Sequence, residues 1–254
     1  MLPFILIDTA LWAGTTLRLY QRGDEFSIRV DKAGELMNSR AHHSEEVLAE
    51  IACKCIAGRK NPHLLVGGLG MGFTLAAVLL HTGSDAQVTV SELIPAVVRW
   101  NRDYMGRLSG FPLADARVQV QELDVARVMQ VSHQFDAIML DVDNGPSSFT
   151  CENNNALYSN AGLALAYAAL KAGGVLTVWS ACTDDAFTQR MNKAGFAVTQ
   201  QRAGSHQSKR GNRHNIWIGV RPGSSIIKND PAVCGCAYPV ALCRGLKMKR
   251  RGCR

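Results

Sequence analysis

The sequence predicts an α/β fold: a largely parallel, doubly wound sheet with helices on both faces, preceded by a small N-terminal β-hairpin extension. Three observations carry this. Between residues 63 and 221, short apolar runs of strand length alternate with longer segments of helical spacing. The glycine-rich run LLVGGLGMG, residues 64–72, stands at the end of the first of those strands. Ahead of it, residues 15–31 (TTLRLYQRGDEFSIRVD) hold two alternating runs, LRLY and FSIRV, around RGDE, which is the pattern of a hairpin.

The elements follow in order. Gly34 breaks the hairpin pattern. Val47, Leu48, Ile51, Ala52 and Cys55 then recur at helical spacing, with Ser44 as the expected cap and Glu45 and Glu46 at the positive end of the helix. Asn61-Pro62 stops it. HLLVGG is a short buried strand, FTLAAVLLHTG a helix ended by Gly83, QVTVSEL a strand, and PAVVRWNRDYMGRL a helix opened by proline. ARVQVQELD and FDAIMLDVD are strands, and GLALAYAALKAGG is a helix closed by a glycine pair. VLTVWSA is a strand, DDAFTQRMNKAGF a helix, and FAVTQQRA with HNIWIGVR a closing strand pair. The chain thus divides into residues 1–60 (hairpin and helix), 61–221 (the α/β body) and 222–254, a basic, cysteine-rich tail expected to be disordered.

Composition excludes several classes. No stretch of about 18 apolar residues is present to span a bilayer. The apolar start, MLPFILIDTALWAG, has no basic segment and is interrupted by Asp8, so a signal peptide is not expected and the chain reads as cytoplasmic. The net charge of +7 is concentrated beyond Arg221, where seven Lys or Arg face the single acid Asp230. The body carries +1, so nucleic acid is not the expected partner. Cys234, Cys236, Cys243 and Cys253 lack paired zinc-ligand spacing, and no metal is expected.

In a doubly wound sheet, ligands bind at the C-terminal strand ends near the switch in strand order. Those ends carry Gly67, Gly68, Gly70 and Gly72, then Glu92, Asp124, and Asp141 with Asp143. Bare backbone admits a ligand closely, and an acid after the second strand accepts ribose hydroxyls. Taken singly, the glycines are compatible with a tight turn and Glu92 with a solvated strand end; their combination points to a nucleoside cofactor. The dinucleotide pattern is G-x-G-x-x-G, whereas Gly68, Gly70 and Gly72 give G-x-G-x-G followed by Phe73-Thr74-Leu75. A row of carboxylates repels a pyrophosphate and favours a cationic sulfonium, which selects S-adenosylmethionine or its decarboxylated form.

Over residues 15–221 the sequence resembles the spermidine synthase family of aminopropyltransferases, in a compact bacterial branch. The hairpin, LLVGGLGMG, the acid of SEL, the Asp of ELD, FDAIMLDVDNGP and LYSNAGLALAYAALKAGGVL carry the resemblance. It implies a Rossmann-like class I S-adenosylmethionine-dependent methyltransferase fold, an adenosyl-sulfonium co-substrate and a small amine acceptor. It also implies Glu92 at the ribose, Asp124 near the adenine, and Asp141 as the carboxylate that orients and deprotonates the amine. For Asp143, amine binding and a plain turn role stand level. A homodimer is implied by resemblance alone.

The sequence departs from the family in three places. The family's GGGDGG loop, whose aspartate helps select the decarboxylated cofactor, has Gly70 at that position. Its Tyr-His-Glu becomes Ser44-Glu45-Glu46, with His42 and His43 just upstream. Its serine, aspartate and proline run is shortened to DVDNGP. The leading expectation is aminopropyl transfer from decarboxylated S-adenosylmethionine to a putrescine-like polyamine. The alternatives are an S-adenosylmethionine-dependent methyltransferase and a non-catalytic nucleoside-binding module. The stretch 36–46 is expected to lie over the pocket, with Arg40 a candidate for a carboxylate partner. Trp179 and the pair Arg213-His214 are weighed as pocket residues against ordinary packing and loop roles.

Overall fold

Two sheets organise the chain in a computed structural model that describes residues 2–142, 156–204 and 213–223. The first is antiparallel, in the order β1 (Ile5–Trp12), β2 (Thr15–Arg22), β3 (Glu25–Val30), β4 (Gly34–Asn38). The predicted hairpin is its central pair, in register from Leu17↔Val30 to Arg22↔Glu25. Sequence alternation does not signal β1 or β4. β1 is an edge strand whose Ile5, Leu6 and Leu11 are apolar yet exposed, so its polarity does not alternate with its burial. β4 begins at Gly34, whose φ of +92° lets the chain double back onto β3 rather than end the sheet.

Helix α1 (His43–Cys55) follows. Ser44 does not cap it, contrary to expectation. The N-cap residue is His42, and Ser44 lies inside the first turn with its hydroxyl turned toward Trp179 and His214. Glu45 and Glu46 do occupy that first turn.

The second sheet has seven strands: β5 (His63–Gly67), β6 (Gln87–Ser91), β7 (Val118–Gln121), β8 (Phe135–Leu140), β9 (Leu170–Ser180), β10 (Ala197–Gly204) and β11 (Arg213–Val220). Their spatial order is β10-β11-β9-β8-β5-β6-β7. β11 runs antiparallel to both neighbours, and the pairs from β9 through β7 are parallel. Strand order switches direction between β5 and β8, which opens a crevice at their C-terminal ends. The connecting helices are α2 (Phe73–His81), α3 (Pro95–Trp100), α4 (Val125–Val128), α5 (Asn160–Ala169) and α6 (Asp185–Lys193).

Alternate strand residues feed two cores. Leu64, Val66, Val88, Val90 and Met139 join Leu48 of α1, Leu75 of α2 and Val98 of α3, and this core continues into Leu19 and Ile28 of the N-terminal sheet. Leu65, Ile138, Leu140 and Val178 face the other way, onto Leu163 of α5 and Phe187 and Met191 of α6. Both faces are covered, which is why these strands read as unbroken apolar runs.

Two helices end earlier than their sequence pattern. α5 stops at Ala169, before the Lys171-Ala172-Gly173-Gly174 stretch, which belongs to β9. The predicted helix from Pro95 keeps regular α geometry only to Trp100. It then widens into a π turn over Asn101–Met105 and tightens over Gly106–Ser109. Among the described residues no helix is long and apolar enough to cross a membrane. The tail beyond residue 223 lies outside the described residues.

Candidate active site

The C-terminal ends of four parallel strands are level: Gly67 pairs with both Ser91 and Leu140, and Ser91 pairs with Gln121. The chain therefore brings the glycine loop, Glu92, Asp124 and Asp141 to one sheet edge. Asp143 lies outside the described residues.

The four glycines differ in what demands them. A Cβ on Gly67 would meet Val125 Cγ2 at 2.9 Å and Leu140 Cδ2 at 3.0 Å, and one on Gly68 would meet the carbonyl oxygen of Asp141 at 2.3 Å. Gly72 has φ +85° at the N-cap of α2, and a Cβ there would meet Ser109 Oγ at 2.8 Å. These three are required by the chain's own packing. At Gly70 a Cβ would meet nothing nearer than Met37 Sδ at 3.7 Å. Gly70 alone of the four presents an open face, and it lines the cavity described below.

Glu92 is buried and anchors this loop. Its Oε2 accepts the Leu69 N–H and its Oε1 the Ile94 N–H, both at 2.9 Å. A carboxylate offers about four acceptor sites, so holding the loop does not preclude accepting a ligand hydroxyl as well. Asn101, carried inward by the π turn, adds a second anchor by donating through Nδ2 to Gly70 O at 2.8 Å and Val97 O at 2.9 Å. π turns of this kind recur at functional sites. Asp124 is exposed and caps α4, its Oδ1 accepting the Ala126 N–H at 2.8 Å.

Asp141 follows β8 directly, its N–H donating to Gly67 O at 2.8 Å as the last rung between the two strands. Its Oδ2 accepts the Thr74 hydroxyl at 2.5 Å. Burial pushes this carboxyl up to about 6, against an ordinary 3.8, while the Thr74 bond pulls the other way. Asp141 opens into a cavity of about 200 Å³ that also takes Glu45, Gly70, Phe73, Trp179 and His214 into its walls. β4 and Ala41 close one side, as expected of the 36–46 stretch. Burial, then the charges of Asp141 and Glu46, hold Glu45 well above the usual carboxylate range. Two carboxyls thus face one small space, and among its described lining residues there is no Lys or Arg.

Arg40 is not part of this wall. Its Nε pairs with Glu25 Oε1 at 2.8 Å on the N-terminal sheet. His42 stacks on Phe73 with ring centroids 4.1 Å apart, and both His42 and His43 bond the Glu46 carboxylate through Nδ1. Glu45, Thr74 and Asn101 join the candidate site through the cavity wall, Asp141 and Gly70, and motif reasoning does not single them out. Glu45 carried a signal in its place at the family's Tyr-His-Glu, but read as an ordinary helix-start acid. Among the described residues no group of three or more His, Cys, Asp or Glu side chains is arranged to hold a metal ion.

No family model matches the sequence, and no curated protein matches it. Solved structures do. A spermidine synthase from Thermotoga maritima superposes with a TM-score of 0.67 at 17% identity, over 85% of this chain and 72% of that one. A spermidine synthase in complex with the transition state analogue AdoDATO gives the same values. A probable spermidine synthase from Corynebacterium glutamicum ATCC 13032 gives 0.59 at 17% identity, over 84% of this chain and 79% of that one. The likeness establishes the fold: the Rossmann-like class I methyltransferase architecture with an antiparallel N-terminal sheet in front of it.

Proposed function

We propose that this chain is a transferase that moves an aminopropyl group from decarboxylated S-adenosylmethionine to a putrescine-like polyamine. The observation that carries this reading is the cavity itself: Asp141 and Glu45 share it beside the open face of Gly70. Two acids, with no Lys or Arg among the described lining residues, suit an amine cation that bears no carboxylate. The likeness to a spermidine synthase in complex with the transition state analogue AdoDATO supports this reading.

The residues' roles follow from their chemistry. A free alkylamine has a pKa near that of lysine, about 10.4, so it arrives as an ammonium with no lone pair. Asp141, ionised above about pH 6, holds that cation and accepts its proton. The freed nitrogen, aimed from the strand end, forms a C–N bond to the carbon beside sulfur as the C–S bond breaks. The bonding pair stays on sulfur, which leaves as a neutral thioether, so no acid is needed at the leaving group. Glu92 and Asp124 are proposed for the ribose and the adenine, with Gly67, Gly68, Gly70 and Gly72 shaping the approach. Asp143 is proposed as a second amine contact.

One observation favours a second reading, methyl transfer from intact S-adenosylmethionine: the loop offers no side chain at Gly70 to repel the cofactor's carboxylate. Product analysis by mass spectrometry separates the two. With putrescine and the decarboxylated cofactor, methylthioadenosine is expected, and its loss in Asp141→Asn assigns the base. S-adenosylhomocysteine from the intact cofactor would replace the aminopropyl reading with the methyl one.

A further inference from the structure

The cavity wall contains a hydrogen-bonded chain that the proposed transfer does not use. The indole Nε1–H of Trp179 on β9 donates to Ser44 Oγ at 3.0 Å, and Ser44 Oγ lies 2.8 Å from Nδ1 of His214 on β11. The Trp179 and His214 rings meet edge to face with centroids 4.6 Å apart. Ser44 is 1% exposed, so its hydroxyl has no water to fall back on.

The chemistry of the donors gives the chain a direction. An indole N–H only donates, so Ser44 Oγ is the acceptor there. Its own hydrogen then has one acceptor among the bonds of the described residues, Nδ1 of His214. That nitrogen must keep its lone pair, and the ring proton sits on Nε2. An imidazolium would carry a hydrogen on Nδ1 too, and the buried Ser44 hydroxyl would lose its acceptor. Burial acts in the same sense, holding His214 below the ordinary histidine value.

We propose that Ser44 is a positioning residue: fixed by Trp179, it locks His214 as the uncharged Nε2–H tautomer, so that the imidazole carries no charge to compete with a bound cation for Asp141. Among the described residues, the titratable groups that share the cavity with His214 are Glu45 from α1 and Asp141 after β8; β9 presents Trp179, and β10 pairs with His214 through Ala203. Without the lock, the ionised Asp141 would draw a proton onto the imidazole, which would then compete with the ligand amine for that carboxylate. This electrostatic consequence rests on the amine-binding reading above, whereas the tautomer does not.

The test is long-range ¹H–¹⁵N NMR on the full chain with labelled histidine, His214 being assigned through His214→Gln. The wild type is expected to show the Nε2–H tautomer and a titration midpoint below 6.5. Ser44→Ala is expected to mix the tautomers and raise the midpoint by about one pH unit. Its KM for putrescine should rise roughly threefold to tenfold more than the wild type's between pH 8 and pH 6, with kcat changed far less. Ser44→Thr, which keeps a hydroxyl, should restore the single tautomer. If Ser44→Ala does not fold, Trp179→Phe removes the fixing N–H and should mix the tautomers instead. A wild type carrying Nδ1–H, or a folded variant with unchanged tautomer and midpoint, overturns the lock. A chain with the lock intact but no aminopropyl product overturns the amine reading alone.

Discussion

At Asp141 stability opposes the proposed chemistry. Its carboxyl sits near 6 in the folded chain and near 3.8 when free, so burial disfavours the ionised form. A raised carboxyl contributes its full stability below the unfolded value and loses it as pH rises through the folded one. The ionised aspartate therefore costs the fold about 1–3 kcal/mol at neutral pH. Asp141→Asn is expected to raise the melting temperature by several degrees at pH 8, while turnover falls by about 10²–10⁴. The gain should fade as pH drops from about 6 toward 3.8 and vanish below it, as thermal melts across that range would record. Thr74→Val should act the other way on the same group. Its hydroxyl is the bond that lowers the Asp141 value, so its loss should move the acid limb of the kcat/KM profile upward by roughly half a unit to one unit. A limb that stays in place would mean that Asp141 is not the base it reports.

The glycine loop is where the element's own geometry and the ligand's needs separate. Gly68→Ala would drive a Cβ to within 2.3 Å of the Asp141 carbonyl oxygen, a backbone atom that cannot swing aside, with φ at +89°. Such overlap is expected to destabilise the fold by about 2–4 kcal/mol. Gly70→Ala meets only the Met37 sulfur at 3.7 Å, and its φ of +51° lies in the left-handed well, at a cost of about 1–2 kcal/mol. Denaturant titration should rank the two in that order, and the Gly70 variant should instead weaken donor binding; equal destabilisation would contradict the open face. The strand-end positions were legible because parallel strands covered on both faces read as apolar runs, and an acid or glycine at the end of a run is conspicuous. What each group bonds to was not. Glu92 was legible as an acid after β6, but its grip on the Leu69 and Ile94 amides depends on how the loop folds back. Asn101 sits in a stretch of helical appearance, and only the π turn turns it inward. Thr74 and Glu45 come to Asp141 from two different helices, a meeting that no local spacing encodes.

At the scale of the molecule, the cavity is a joint product of both sheets. β4 of the N-terminal sheet closes it, α1 supplies Glu45 and Ser44, and the seven-stranded sheet supplies Gly70, Asp141, Trp179 and His214. The apolar core that joins the sheets runs from Leu19 and Ile28 through Leu48 to Leu64 and Ile216, and the second core closes with Trp217. Neither core nor cavity draws on a residue beyond Val220 among the described residues, although the chain's positive charge does: residues 224–254 hold all but +1 of its +7. Charge and site are therefore separable by truncation. Ending the chain at residue 223 is expected to leave the melting temperature within about 1 °C and the turnover unchanged, since the cores and the cavity of the described residues are complete by Val220. The same truncation should abolish salt-dependent retention on a polyanion column, because the remaining body is nearly neutral. A truncated chain that keeps its fold but loses turnover would instead give the basic segment a place in the reaction, and the ligand would have to be sought among anions held by it rather than among amines held by Asp141.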